Sequence, residues 1–127
     1  MNIKTINTDK APQAIGPYSQ AKVINGFIFT SGQIPLKPDG TLVEGNFEKE
    51  CIQVLENVKA VLESANSSLD NIIKLTVFLT DLNNFEILNQ VFIQYFTDSL
   101  PSRSTVQVSR LPKNSRVEIE AIGVADV

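Results

Sequence analysis

Between Asn46 and Ala65 the chain sets Phe47, Cys51, Val54, Leu55, Val58, Val61, Leu62 and Ala65 on one side of a helix. They follow the i, i+4, i+7, i+8 spacing of a buried face, sustained over about five turns. A stripe of that length must be covered by something broad, and the flanking sequence offers strands. Asn46 is placed to cap the helix, and Glu48 and Glu50 suit the positive end of its dipole.

Upstream, Ala21 to Ile24 and Phe27 to Ser31 are β-prone runs on either side of Asn25-Gly26, a two-residue hairpin signal. Lys37-Pro38-Asp39-Gly40 reads as a turn. Downstream, Ile72 to Thr80 is rich in Ile, Val, Leu, Thr and Phe, as a central strand would be. A second helix is expected from about Asn84, with Phe85, Leu88, Phe92 and Phe96 on one face and Asn83 and Glu86 at capping-box spacing. Past Pro101, Ser104 to Ser109 and Arg116 to Ala125 read as two strands around a turn at Pro112 to Ser115. The order is strands, helix, strand, helix, strands. That is an α+β pattern: one open sheet with two amphipathic helices on one face. Along the last strand Arg116, Glu118 and Glu120 are expected on one face, and Val117, Ile119 and Ala121 on the other. The mixed face has no third helix to cover it, which leaves it to another subunit or, as antiparallel sheets allow, to water.

At 127 residues, with no linker or repeat, the chain is expected to be a single domain spanning 1–127. A net charge of -3 argues against a general nucleic-acid or anionic-membrane surface. No apolar run reaches membrane-spanning length, and the polar start MNIKTINTDKAPQ lacks a signal core. The expected location is cytoplasmic. The one cysteine, Cys51, lies on the buried stripe, and there is no histidine. Serine–histidine and cysteine–histidine catalysis and imidazole metal sites are therefore excluded. Neither a GxGxxG nor a GxxxxGK[ST] motif is present, and no acidic cluster points to a metal.

Few residues remain that can do chemistry. In PSRSTVQVSRLPKNSRVEI, Pro101 to Ile119, an arginine follows a proline and a glutamate lies in the returning strand. The expectation is that two neighbouring strands bring Arg103 and Glu118 to one end of the sheet. An arginine fork suits a carboxylate, and a glutamate can move a proton. The plainer alternative makes Glu118 a salt-bridge partner of Arg116 or Arg110, and Arg103 a solvated charge. Gly16 and Gly32 are expected to serve backbone geometry.

Four blocks then carry a resemblance: Ala14-Ile15-Gly16-Pro17-Tyr18-Ser19-Gln20; Thr30-Ser31-Gly32-Gln33-Ile34-Pro35; Val77-Phe78 with Asp81-Leu82-Asn83 and Asn89; and Pro101-Ser102-Arg103-Ser104 through Val117-Glu118-Ile119. In that order they resemble the RidA family, also called the YjgF or endoribonuclease L-PSP family. The resemblance implies a chorismate-mutase-like α+β domain, a six-stranded, mostly antiparallel sheet with two helices on one face, assembled as a homotrimer with sites between subunits. It implies hydrolysis of 2-imino acids, such as 2-iminobutanoate and 2-iminopropanoate, to 2-oxo acids and ammonia without a cofactor or metal. In such a site Arg103 would clamp the substrate carboxylate, helped by the backbone N–H groups of Gly32 and Thr105. Glu118 would serve proton transfer. Tyr18, Ser31 and Asn89 would line the pocket, Tyr18 and Asn89 from across an interface. The family often has a cysteine where this chain has Thr105, so a thiol-based role does not carry over. Two other readings stand beside the deaminase: a non-catalytic trimeric protein that binds small carboxylates, and, less favoured, a ribonuclease-type translation inhibitor.

Overall fold

The computed structural model describes residues 2–126. Its single sheet has six strands: β1 (Lys4–Ile6), β2 (Ala21–Ile24), β3 (Phe27–Thr30), β4 (Ile72–Leu79), β5 (Ser102–Gln107) and β6 (Val117–Val124). They lie in the order β1-β2-β3-β6-β4-β5, and every pairing is antiparallel except β4 with β5. Helix α1 (Phe47–Ser64) follows the hairpin strands, and α2 (Phe85–Tyr95) forms the crossover between the parallel strands. The α+β expectation, six strands and two helices, is borne out. No helix among the described residues is long and apolar enough to cross a membrane.

The hairpin turns as its residues require. Asn25 and Gly26 both have positive φ, 50° and 80°, the geometry of a type I′ turn. Helix α1 begins where Asn46 Oδ1 accepts from the Lys49 N–H at 3.0 Å. The second helix begins differently from the expected capping box. A 3₁₀ turn, Leu82–Asn84, runs into it, and Asp81 caps that turn by accepting from the Asn83 N–H. Asn84 makes no side-chain cap.

The stripe of α1 packs on alternate residues of the central strands. Val54, Leu55, Val58, Val61 and Leu62 share one buried cluster with Leu75, Val77 and Leu79 of β4 and with Val117, Ile119 and Ala121 of β6. Leu88, Val91, Phe92 and Phe96 bring the second helix onto the same core. The opposite sheet face carries Phe27, Phe29 and Ile73, all substantially exposed.

Two buried polar contacts tie loops to α1. Asn57 donates from Nδ2 to the carbonyls of Ile34 and Leu36, at 3.2 and 2.7 Å, and accepts from Gln53. Glu50 is nearly inaccessible, and both its oxygens accept from Arg116. Arg116 also lies over the Phe47 ring, 5.4 Å from its centroid. This corrects the expectation that Arg116 shares a face with Glu118. Arg116 precedes the strand proper, so its side chain escapes the alternation and reaches α1. Replacing Arg116 by leucine strips the buried Glu50 carboxylate of its cation, so unfolding free energy should fall by about 3 kcal/mol in denaturant titration.

Candidate functional site

Strand alternation decides where each candidate residue points. Across β4 and β5, Leu75 sits opposite Arg103 and Val77 opposite Thr105. Leu75 and Val77 belong to the core under the helices, so Arg103 and Thr105 share the helix-bearing face. Across β4 and β6, Phe78 sits opposite Glu118. Phe78 has the other parity, so Glu118 lies on the open face. Strand β4 also separates β5 from β6. The expectation that neighbouring strands bring Arg103 and Glu118 together is therefore overturned within one chain. Their separation comes from the register, which the sequence does not display.

Each residue instead has its own setting. Arg103 Nη2 donates to Asn89 Oδ1 at 2.8 Å, and its guanidinium lies 4.8 Å from the Phe92 ring centroid and 5.2 Å from that of Phe85. The α2 side chains thus hold a half-buried cation by one neutral acceptor and two aromatic faces. Burial pulls its pKa below the usual arginine value. Among the described residues the only ion pair is Glu50 with Arg116, so no carboxylate neutralises Arg103. A groove of about 350 Å³ opens beside it, lined by Asn89, Phe92, Ile93, Leu100, Pro101 and Arg103. Asn89 was expected across an interface from Arg103; it bonds Arg103 in the same chain. The Thr105 hydroxyl is buried and without a partner among the described residues.

On the other face Glu118 presses against Gly32. A Cβ on Gly32 would stand 2.0 Å from Glu118 Oε2 and 2.9 Å from its Cγ. Gly32 shows no positive φ, so the backbone does not demand glycine there. Close approach does, which corrects the backbone-geometry expectation. The approach follows from a bulge. Phe29 pairs with Ile122 and Gln33 bridges Ile119, which leaves Thr30, Ser31 and Gly32 opposite only Glu120 and Ala121. Thr30 closes the gap with its side chain, Oγ1 accepting from the Ala121 N–H at 2.9 Å. Ser31 Oγ donates to the Ser19 carbonyl at 2.6 Å, tying the bulge to the Tyr18 loop. Its hydroxyl is thus engaged in positioning. Tyr18 is about half exposed, and its Oη accepts from the Ile15 N–H at 3.2 Å. Tyr18 and Gly32 flank one narrow cleft of about 20 Å³. Tyr18 therefore belongs with the Glu118 side, not opposite it.

Burial, and secondarily the nearby Glu120, pushes the Glu118 pKa above the ordinary glutamate value of 4.5. Neither arginine named in the salt-bridge alternative reaches it: Arg116 is bound to Glu50, and Arg110 donates to Asn114 Oδ1. Cys51 lies in the core with its thiol pKa raised to about 12 by burial. No group of three metal-ligating side chains gathers among the described residues. Sequence reasoning missed Thr30, Phe85 and Phe92 as site builders. Aromatic residues at helical spacing read as core, and nothing in a linear chain marks which of them an arginine will lie over.

The family model described as Endoribonuclease L-PSP matches residues 8–125, nearly the whole described chain. The protein belongs to this family. A RutC family protein of Pyrococcus abyssi is 49% identical over 120 residues, covering 94% of each chain. The 2-iminobutanoate/2-iminopropanoate deaminase of Mus musculus is 48% identical over 122 residues, 95% of this chain and 90% of its own. The crystal structure of E. coli TdcF with bound serine superposes with a TM-score of 0.92 at 46% identity, covering 97% of this chain and 99% of that one.

The raised Glu118 pKa has a consequence for stability. A carboxyl that holds its proton more tightly when folded favours the native state below about pH 4.5, and that favour is lost as pH rises through the folded pKa. Glu118→Gln removes the cost of ionisation. Its thermal midpoint should exceed that of the wild type at about pH 7, and the gap should close at about pH 4.

Proposed function

We propose that this member of the family hydrolyses small 2-imino acids to 2-oxo acids and ammonia, with 2-iminobutanoate and 2-iminopropanoate as the type substrates. The carrying observation is Arg103, a half-buried cation with a neutral hydrogen-bond acceptor, two aromatic supports and no carboxylate of its own. Such an arrangement leaves the guanidinium fork free for an external carboxylate. The deaminase name carried by the mouse relative, and the serine bound in TdcF, favour the same ligand chemistry.

The two halves lie on opposite sheet faces, so we assign the complete site to two copies of the chain. Arg103, Asn89 and Thr105 come from one copy; Glu118, Gly32, Ser31 and Tyr18 come from the next. A contact that joins one face of a copy to the other face of its neighbour is heterologous, the kind that generates a ring when its rotation closes. A homotrimer is the ring the resemblance implies. The Gly32 N–H, which finds no backbone acceptor among the described residues, is available to the bound carboxylate.

The chemistry then needs little. A protonated imine carbon is already electrophilic. Glu118 takes a proton from water as the water oxygen bonds to that carbon, and the C=N electron pair moves to nitrogen. Glu118 then returns the proton to nitrogen. Glu118 takes the hydroxyl proton as the C–N bond breaks and the C=O bond forms, and the departing ammonia carries that proton away as ammonium. Every atom comes from substrate and water, with no cofactor or metal. Orientation and one proton carrier suffice. The setting we assign to it is the cytoplasm.

The test generates the imine with a threonine dehydratase in the presence of semicarbazide and follows the loss of semicarbazone. Arg103→Ala should cut diversion at least about 100-fold, and Arg103→Lys should restore only a small part of it. Glu118→Gln should lower kcat about 100-fold with KM little changed, and Gly32→Ala should follow it, because the added methyl evicts the Glu118 carboxylate. Equal diversion by wild type and Arg103→Ala sinks the proposal. A wild type that binds 2-oxo acids but diverts nothing would instead favour the small-carboxylate binding protein, the reading that the serine complex of TdcF keeps in play.

A further inference from the structure

We propose that the groove beside Arg103 is a side-chain pocket, and that it makes the chain prefer 2-imino acids with apolar side chains longer than ethyl. The inference rests on the imine-hydrolysis reading and adds the substrate class. Arg103 is the only charged residue among those lining the groove; Phe92, Ile93, Leu100 and Pro101 supply an apolar wall, and Asn89 is its one neutral polar member. The volume of about 350 Å³ lies within the range of small-molecule sites.

Ile93 and Leu100 are 68% and 78% exposed, the two most exposed large apolar side chains among the described residues. Both line the groove together with Asn89 and Phe92, two of the residues that hold the guanidinium. Phe92 serves both parts, with its ring under Arg103 and its edge in the groove wall. A carboxylate anchored on Arg103 leaves the ligand's side chain only one or two bonds away, within reach of that wall. Apolar exposure of this size next to an unneutralised cation matches a ligand that is anionic at one end and aliphatic at the other. The occupant we assign is the side chain of the substrate itself. Each additional buried methylene adds roughly fourfold in affinity. The two extra carbons of a leucine-derived imine over 2-iminobutanoate should therefore give at least about tenfold.

The experiment has two arms on the whole protein. Calorimetry compares 4-methyl-2-oxopentanoate with 2-oxobutanoate, a binding measurement that needs no turnover. Wild type should bind the longer acid at least about tenfold more tightly, while Ile93→Ser and Leu100→Ser should each erase most of that ratio. Ile93→Met, which keeps the apolar volume, should retain it. In the kinetic arm, an L-amino acid oxidase supplies the leucine imine and a threonine dehydratase supplies 2-iminobutanoate. The ratio of kcat/KM values should move with the binding ratio in each variant. Equal binding of the two acids by wild type overturns the inference. So does a loss on both acids in equal measure in the serine variants, which would mark the groove as a contact surface between copies. A wild type that shows the binding preference but hydrolyses neither imine keeps the pocket and overturns the deaminase reading instead.

Discussion

Everything at the candidate site depends on the contact between the α1 stripe and alternate residues of β4 and β6. Once Val54, Val58 and Leu62 bury Val77, Val117 and Ile119, the parity of every sheet residue is settled. Arg103 inherits the helix side through its pairing with Leu75, and Glu118 inherits the open side through Phe78. A one-residue slip would exchange the two, exposing the core stripe at the same time. Hydrophobic burial thus enforces the site's geometry far more strongly than any polar contact within it.

Within that frame the polar residues hold charges that burial disfavours. The open side keeps a carboxylate partly desolvated, next to a second one, and hard against a glycine. The helix side keeps a guanidinium that has lost water without gaining an anion. Both features cost stability in an isolated chain. The Glu50–Arg116 pair is the contrast. There the charges neutralise each other, and the pair fastens the start of β6 to α1 with nothing left over for a ligand.

Much of this was legible in the sequence, because long periodic segments advertise themselves. Helix α1 and its Asn46 cap, the Asn25-Gly26 hairpin, and strands β4 and β6 appear within a residue or two of their expected bounds. Strand β1 did not show, being three residues long, polar and at the sheet edge. The strand order did not show either. Strands β5 and β6 are consecutive in the chain, and the insertion of β4 between them, a long-range choice made by the core, adds to the opposite-face register in separating Arg103 from Glu118. The close approach that keeps Gly32 free of a side chain was not legible, since a clash with a side chain 86 positions later leaves no mark on local sequence. The candidate residues could be named from the sequence; their distribution over two faces could not.

Thr105 shows what that distribution permits. The family often has a cysteine here, yet a threonine two residues from Arg103 on the same face keeps the strand intact, since a β-branched side chain suits it. Its hydroxyl is sealed from solvent and, among the described residues, has no hydrogen-bonded partner and so no base to activate it as a nucleophile. The one thiol present, Cys51, is in the core and is held protonated far above neutral pH. Whatever reaction the site supports must therefore proceed without a covalent sulfur intermediate. The backbone N–H at position 105 is present whatever the side chain, so the carboxylate clamp we propose for Arg103 does not depend on the exchange. The exchange removes the thiol that a cysteine would bring and leaves the main chain as it was, and the imine hydrolysis we propose requires only the main chain.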